Sequence, residues 1–115
     1  MARLKALNPE QATGKTKELF DVVNSKMGMV PNMMGTMGNS PAALNAYLGF
    51  NAALNSASIG SKLGELIALT VASENGCNYC NSAHTYIGDK IGLDASAIEQ
   101  ARSGISADPK INAAL

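Results

Sequence analysis

The chain has little of several things, and each shortage removes a class of function. It has no tryptophan, two phenylalanines and three tyrosines. Nine basic and nine acidic residues cancel and are spread evenly. With no basic stripe and no aromatics interleaved among cations, nucleic acid is not an expected partner. The start, MARLKALNPE, has no long apolar run and does not read as a signal peptide. The longest apolar segment, residues 63–72, is broken by Gly64, Glu65 and Thr70, so no membrane span is expected. Two cysteines and one histidine are the whole supply of soft ligating chemistry. The chain therefore reads as cytosolic. There, a C-x-x-C pair argues for redox chemistry or metal rather than a structural staple.

Charge is also scarce. Charged residues make up 16% of the 115 residues, against about 25% in ordinary domains, while hydrophobic residues reach 46%. One small domain over residues 1–115 is expected. So little charge on so small a surface points to apolar area hidden against copies of the same chain.

What is present reads as all-α. Asn8-Pro9 looks like the cap and first position of a helix over 9–27, with Leu19, Phe20, Val23 and Met27 on its apolar stripe and Gly28 as its stop. Residues 28–39 hold three glycines and a proline and read as a loop. Met29, Met33, Met34 and Met37 in it suit core filling, or the soft lining of a substrate channel. Ser40-Pro41 opens a second helix to about Ala57. A third, over 61–74, is apolar nearly all round and reads as central, with Glu65 inside it. Asn75-Gly76 turns the chain into a fourth helix over 77–91, and Asp94 caps a fifth to Ser103. Asp108-Pro109 starts another, but the six residues after it are too few to sustain a helix alone. The expectation is that a partner subunit receives this stub, or that C-terminal helices are missing or truncated.

Residues 65–84 carry the chemistry, with the pattern Glu-x11-Cys-x2-Cys-x3-His: Glu65, Cys77, Cys80 and His84. On a helix starting near Cys77, the two cysteines and His84 share one face. Cys80 would lie in the first turn, where free N–H groups favour a thiolate. His84, one turn on, is placed to take its proton, and Cys77 is near enough to close a disulfide on an oxidised Cys80. Two packed core thiols, or a four-ligand zinc site, remain alternatives. Against zinc, structural sites usually take Cys or His at all four positions. Haem attachment would need histidine at position 81, which is Asn81.

These stretches resemble the carboxymuconolactone decarboxylase superfamily, on its alkylhydroperoxidase D-like side. GMVPNMMGTMGNSPAALNAYL is similar to that family's Gly-x-Val-Pro-Asn loop and Ser-Pro helix start. GELIALTVASENGCNYCNSAH is similar to its Glu…Cys-x-x-Cys-x-x-x-His core. The resemblance implies an all-helical bundle assembled as a trimer or hexamer, with no cofactor. It implies a thiol-dependent peroxidase or disulfide reductase. Glu65 would be the acid, His84 the proton relay, Cys80 the peroxide-attacking thiol and Cys77 the resolving thiol. The partners implied are a peroxide and a dithiol reductant, lipoyl or thioredoxin-like. Tyr79 stands where the best-known alkylhydroperoxidase D proteins have a histidine. The family's lyase branch, which does not rest on a cysteine pair, would use Glu65 and His84 as acid and base. A non-enzymatic oligomeric thiol sensor is the third reading.

Overall fold

Glycines and cap residues cut the chain into seven helices in the computed structural model, which describes residues 3–115. In chain order they are α1 (Gly14–Met27), α2 (Asn32–Met37), α3 (Pro41–Asn55), α4 (Gly60–Glu74), α5 (Asn78–Lys90), α6 (Ala95–Arg102) and α7 (Pro109–Asn112). The described residues form no strand. The expected all-α class is what is observed. The chain divides into two compact units, Met1–Leu54 and Asn55–Leu115.

The first unit packs Leu19, Phe20 and Val23 of α1 with Met34 of α2 and Leu44 of α3. Two expectations are corrected here. Asn8-Pro9 does not open α1. The Asn8 side chain accepts the Glu10 N–H at 3.0 Å, and Gln11 N–H returns to the Asn8 carbonyl, so these residues form a turn and the helix begins at Gly14. Residues 28–39 are not a plain loop, because α2 forms within them. Six residues suffice because the turn is held from outside: Leu7 N–H donates to the Gly35 carbonyl at 3.0 Å, and Asn39 donates to the Lys5 carbonyl at 2.8 Å. Of the four methionines, Met34 is core, whereas Met29 and Met33 are exposed. The α2–α3 junction has a close approach. A Cβ on Gly38 would run into the Phe20 ring and lie 3.1 Å from the Thr16 methyl.

The second unit is built around α4, which packs against both α5 and α6. Its core is Leu66 and Leu69 of α4 with Ile98 and Ala101 of α6. Thr70 is buried among them, and its hydroxyl donates to the Ala101 carbonyl at 2.7 Å. Leu69 is fully buried, so Leu69→Ala is expected to destabilise the protein by about 2–5 kcal/mol. Thermal unfolding checks this, with a drop of at least about 8 °C expected. The caps at Asp94 and Asp108 form as read: each aspartate accepts N–H groups in the first turn that follows it. The short α7 is held within this unit, where Ile111 and Leu115 pack on the Leu66–Leu69 cluster. The face of α4 carrying Val71 stays exposed, so this helix is central to its unit without being buried all round.

The turn from α4 into α5 places the site. Gly76 takes a positive φ of 61°, its N–H donates to the Ser73 carbonyl, and Cys77 N–H reaches the Ala72 carbonyl, both at 2.9 Å. This is the paired-bond ending that glycine allows at the close of a helix. It delivers Cys77, with no intervening loop, as the N-cap of α5.

Candidate functional site

All four residues singled out in the sequence lie in the second unit, on α4 and α5. Cys77 has the extended backbone of an N-cap, and its Sγ accepts the Cys80 N–H at 3.2 Å. A side chain accepting from the third residue beyond the cap is the ordinary capping geometry, here with sulfur in place of oxygen. Its effect is to draw the two sulfurs together. Cys77 and Cys80 are joined in a disulfide with a Cα–Cα separation of 5.3 Å. Both residues are half-buried, so the bond is neither sealed in a core nor fully open to solvent.

Glu65 and His84 meet across the α4–α5 interface. The histidine Nδ1 lies 2.7 Å from Oε2 of the carboxylate. An ionised carboxylate only accepts, so Nδ1 is the donor in this contact and Nε2 is the ring nitrogen left outside it. The side chains are 19% (Glu65) and 34% (His84) exposed, so the pair is partly open to solvent. Among the described residues, His84 makes no hydrogen bond to either sulfur of the closed disulfide. The structure thus assembles two pairs, sulfur with sulfur at the head of α5 and acid with histidine between α4 and α5. Among the described residues no three of His, Cys, Asp and Glu are grouped to hold a metal ion.

Four residues that the sequence did not single out hold α5 in place. The Ser73 hydroxyl donates to Asn81 Oδ1 at 3.2 Å. The Thr85 hydroxyl donates to the Asn81 carbonyl at 2.7 Å and accepts from the Arg102 guanidinium at 2.6 Å. Arg102 also reaches Glu99 at 2.9 Å. Asn81 and Thr85 sit four apart, on the flank of α5 away from Cys80 and His84, so this chain ties the cysteine-bearing turn to α4 and α6. The i, i+4 spacing of Asn81 and Thr85 was the available signal, but their partners come from other helices. Arg102→Ala is expected to cost about 1 kcal/mol. The check is a thermal melt, which should shift down by about 4–8 °C.

An all-helical domain with a Cys-x-x-Cys disulfide at a helix start and a part-buried acid–histidine contact on adjacent helices defines the class. Residues 41–115, well over half of the chain, match the model of the carboxymuconolactone decarboxylase family, and the chain belongs to that family. The match runs from α3 through α7 and includes every residue of the site. The 28–39 stretch, which opens the segment read as similar to the family's, precedes it. No curated protein matches the chain.

Proposed function

We propose that the protein is a thiol-dependent peroxidase of the cytosol, cycling Cys77 and Cys80 between dithiol and disulfide. The observation that carries this reading is the closed Cys77–Cys80 bond at the head of α5, on the same helix as a histidine held by a carboxylate. In the reduced protein, the Cys80 thiolate attacks one peroxide oxygen. The O–O bond breaks, Cys80 becomes a sulfenic acid, and the departing alkoxide takes a proton. His84 takes the Cys80 thiol proton at Nε2 and passes it to the alkoxide, while Glu65 holds the ring and stabilises its charged form. Cys77 then attacks Cys80 Sγ as a thiolate, the proton it gave up joins the departing hydroxide so that water leaves, and the disulfide closes. A dithiol returns the two electrons. The same pair makes the protein competent as a disulfide reductase when the electrons flow the other way.

The test is consumption of an organic hydroperoxide with dihydrolipoamide or a thioredoxin-like protein as donor. Turnover that saturates with one dithiol and disappears without it supports the reading. Stoichiometric oxidation with no dithiol able to restore the protein favours a thiol sensor. The Glu65–His84 contact needs no sulfur to move a proton, and this favours a second reading as a cofactor-free lyase. A lyase activity would survive conversion of both cysteines to serine.

We also propose that the protein assembles with copies of itself as a trimer or hexamer. Exposed Phe50 and Leu54 on α3 and Val71 on α4, together with the low charge, support this. Sedimentation is expected to return a mass several times that of one chain; a single-chain mass rules assembly out.

A further inference from the structure

The two sulfurs of the closed bond are not equivalent. Cys77 Sγ sits at the N-cap of α5 and accepts the Cys80 N–H at 3.2 Å. Among the described residues, no hydrogen bond reaches Cys80 Sγ. The two also differ in backbone setting. Cys77 closes the turn from α4, with its N–H tied to Ala72 and its carbonyl receiving Asn81 N–H at 3.0 Å, while Cys80 lies inside the first turn of α5.

Thiol–disulfide exchange makes this asymmetry consequential. An attacking thiolate forms a bond to one sulfur, and the electron pair of the broken bond leaves on the other. The rate rises with the stability of the leaving thiolate. A thiolate on Cys77 would be received by an N–H already directed at it and by the positive end of a 13-residue helix. A thiolate on Cys80 has no such donor in place.

Taking the redox pair of the proposed function as given, we propose that the reducing dithiol attacks Cys80, and that Cys77 is the thiolate expelled. The step balances as follows. The partner's sulfur bonds to Cys80 Sγ, the Cys77–Cys80 bond breaks, and its electron pair stays on Cys77. The partner's second thiolate then attacks its own sulfur in the mixed disulfide and expels Cys80. The partner ends as a disulfide, and the protein gains two electrons and two protons. Cys80 therefore carries the foreign group in both half-reactions, oxygen in one and the partner's sulfur in the other. Cys77 serves both times as the internal thiolate, entering to close the bond and leaving when it opens. The partner this requires is a dithiol whose sulfur reaches Cys80.

The experiment uses the oxidised wild-type protein and no peroxide, so failure of peroxide turnover leaves its result interpretable. Glutathione is added as a one-thiol probe, and the mixture is quenched within seconds by N-ethylmaleimide. Chymotrypsin cleaves after Tyr79 and separates the two cysteines for mass analysis. Glutathione is expected on the 80–86 fragment and maleimide on Cys77, in at least about fivefold excess over the reverse. A second measurement compares reduced Cys80→Ser with reduced Cys77→Ser by thiolate absorbance as pH falls. The Cys77 thiolate is expected to persist to lower pH than the Cys80 thiolate. Glutathione equally shared or mainly on Cys77, or the reverse order of thiolate loss, overturns the assignment.

Discussion

Cys80→Ser is expected to lower peroxide turnover by at least about 10³-fold, because a hydroxyl at this position is neither ionised nor a match for thiolate as a nucleophile. The substitution leaves the helix start intact. Cys77 Sγ accepts from the backbone N–H of residue 80, which serine retains. With both proteins reduced, melting temperatures are expected to agree within a few degrees, so lost activity reports chemistry and not unfolding. Cys77→Ser should behave differently. Its Cys80 still reacts once with peroxide, but with no internal thiolate to close the bond, turnover stops after the first event. Steady-state assays and single-turnover assays together separate the two roles.

His84→Ala is expected to slow the oxidation of Cys80 by about 10²-fold under single-turnover conditions, the usual worth of a positioned acid–base group. Glu65→Gln is expected to be milder, about tenfold. Its amide oxygen still accepts the Nδ1 proton, so the ring keeps its orientation, but the negative charge that stabilises imidazolium is gone. This ordering separates the relay from a purely structural contact. If Glu65 and His84 only pinned α4 to α5, both variants would melt lower and oxidise at the wild-type rate. Quenched-flow alkylation of the remaining thiol measures the rate directly.

Much of this was legible in the sequence where the signal is local. Asp94 and Asp108 cap the helices that follow them, and Ser40-Pro41 opens α3, because a cap and its helix are a few residues apart and carry their own hydrogen bonds. The stretch from Gly76 through His84 was readable for the same reason. Gly76 ends one helix, Cys77 begins the next, and the spacing to Cys80 and His84 does the rest. Reading failed where a competing local turn or distant contacts decide. Asn8-Pro9 has the composition of a helix start, yet Asn8 closes a turn on itself. The glycines of 28–39 argue against a helix, but Met34 is drawn into the core and Leu7 and Asn39 hold the turn from either side. The Ser73–Asn81–Thr85–Arg102 chain was invisible for a related reason: its members are ordinary polar residues until α4, α5 and α6 are packed.

The contact between Glu65 and His84 lies between these cases. Their types and the helical pattern suggested that they could meet, but the 2.7 Å approach depends on how the turn at Gly76 folds α5 back along α4. A substitution at Gly76 should therefore affect the site without touching it. Gly76→Ala places a side chain in open space, so its cost is confined to the backbone, about 1–2 kcal/mol for a left-handed alanine. Both the melting temperature and the rate of Cys80 oxidation are expected to fall, and a melt and a single-turnover assay on the same sample record them.

The account rests on Cys77 and Cys80 acting as one two-electron redox unit with oxygen entering at Cys80. The most direct measurement is the intact mass of the reduced protein after one equivalent of an organic hydroperoxide. Wild type is expected to lose two hydrogens, and Cys77→Ser is expected to gain one oxygen, located on Cys80. An unchanged wild-type mass, or oxygen found elsewhere in the chain, would contradict the account.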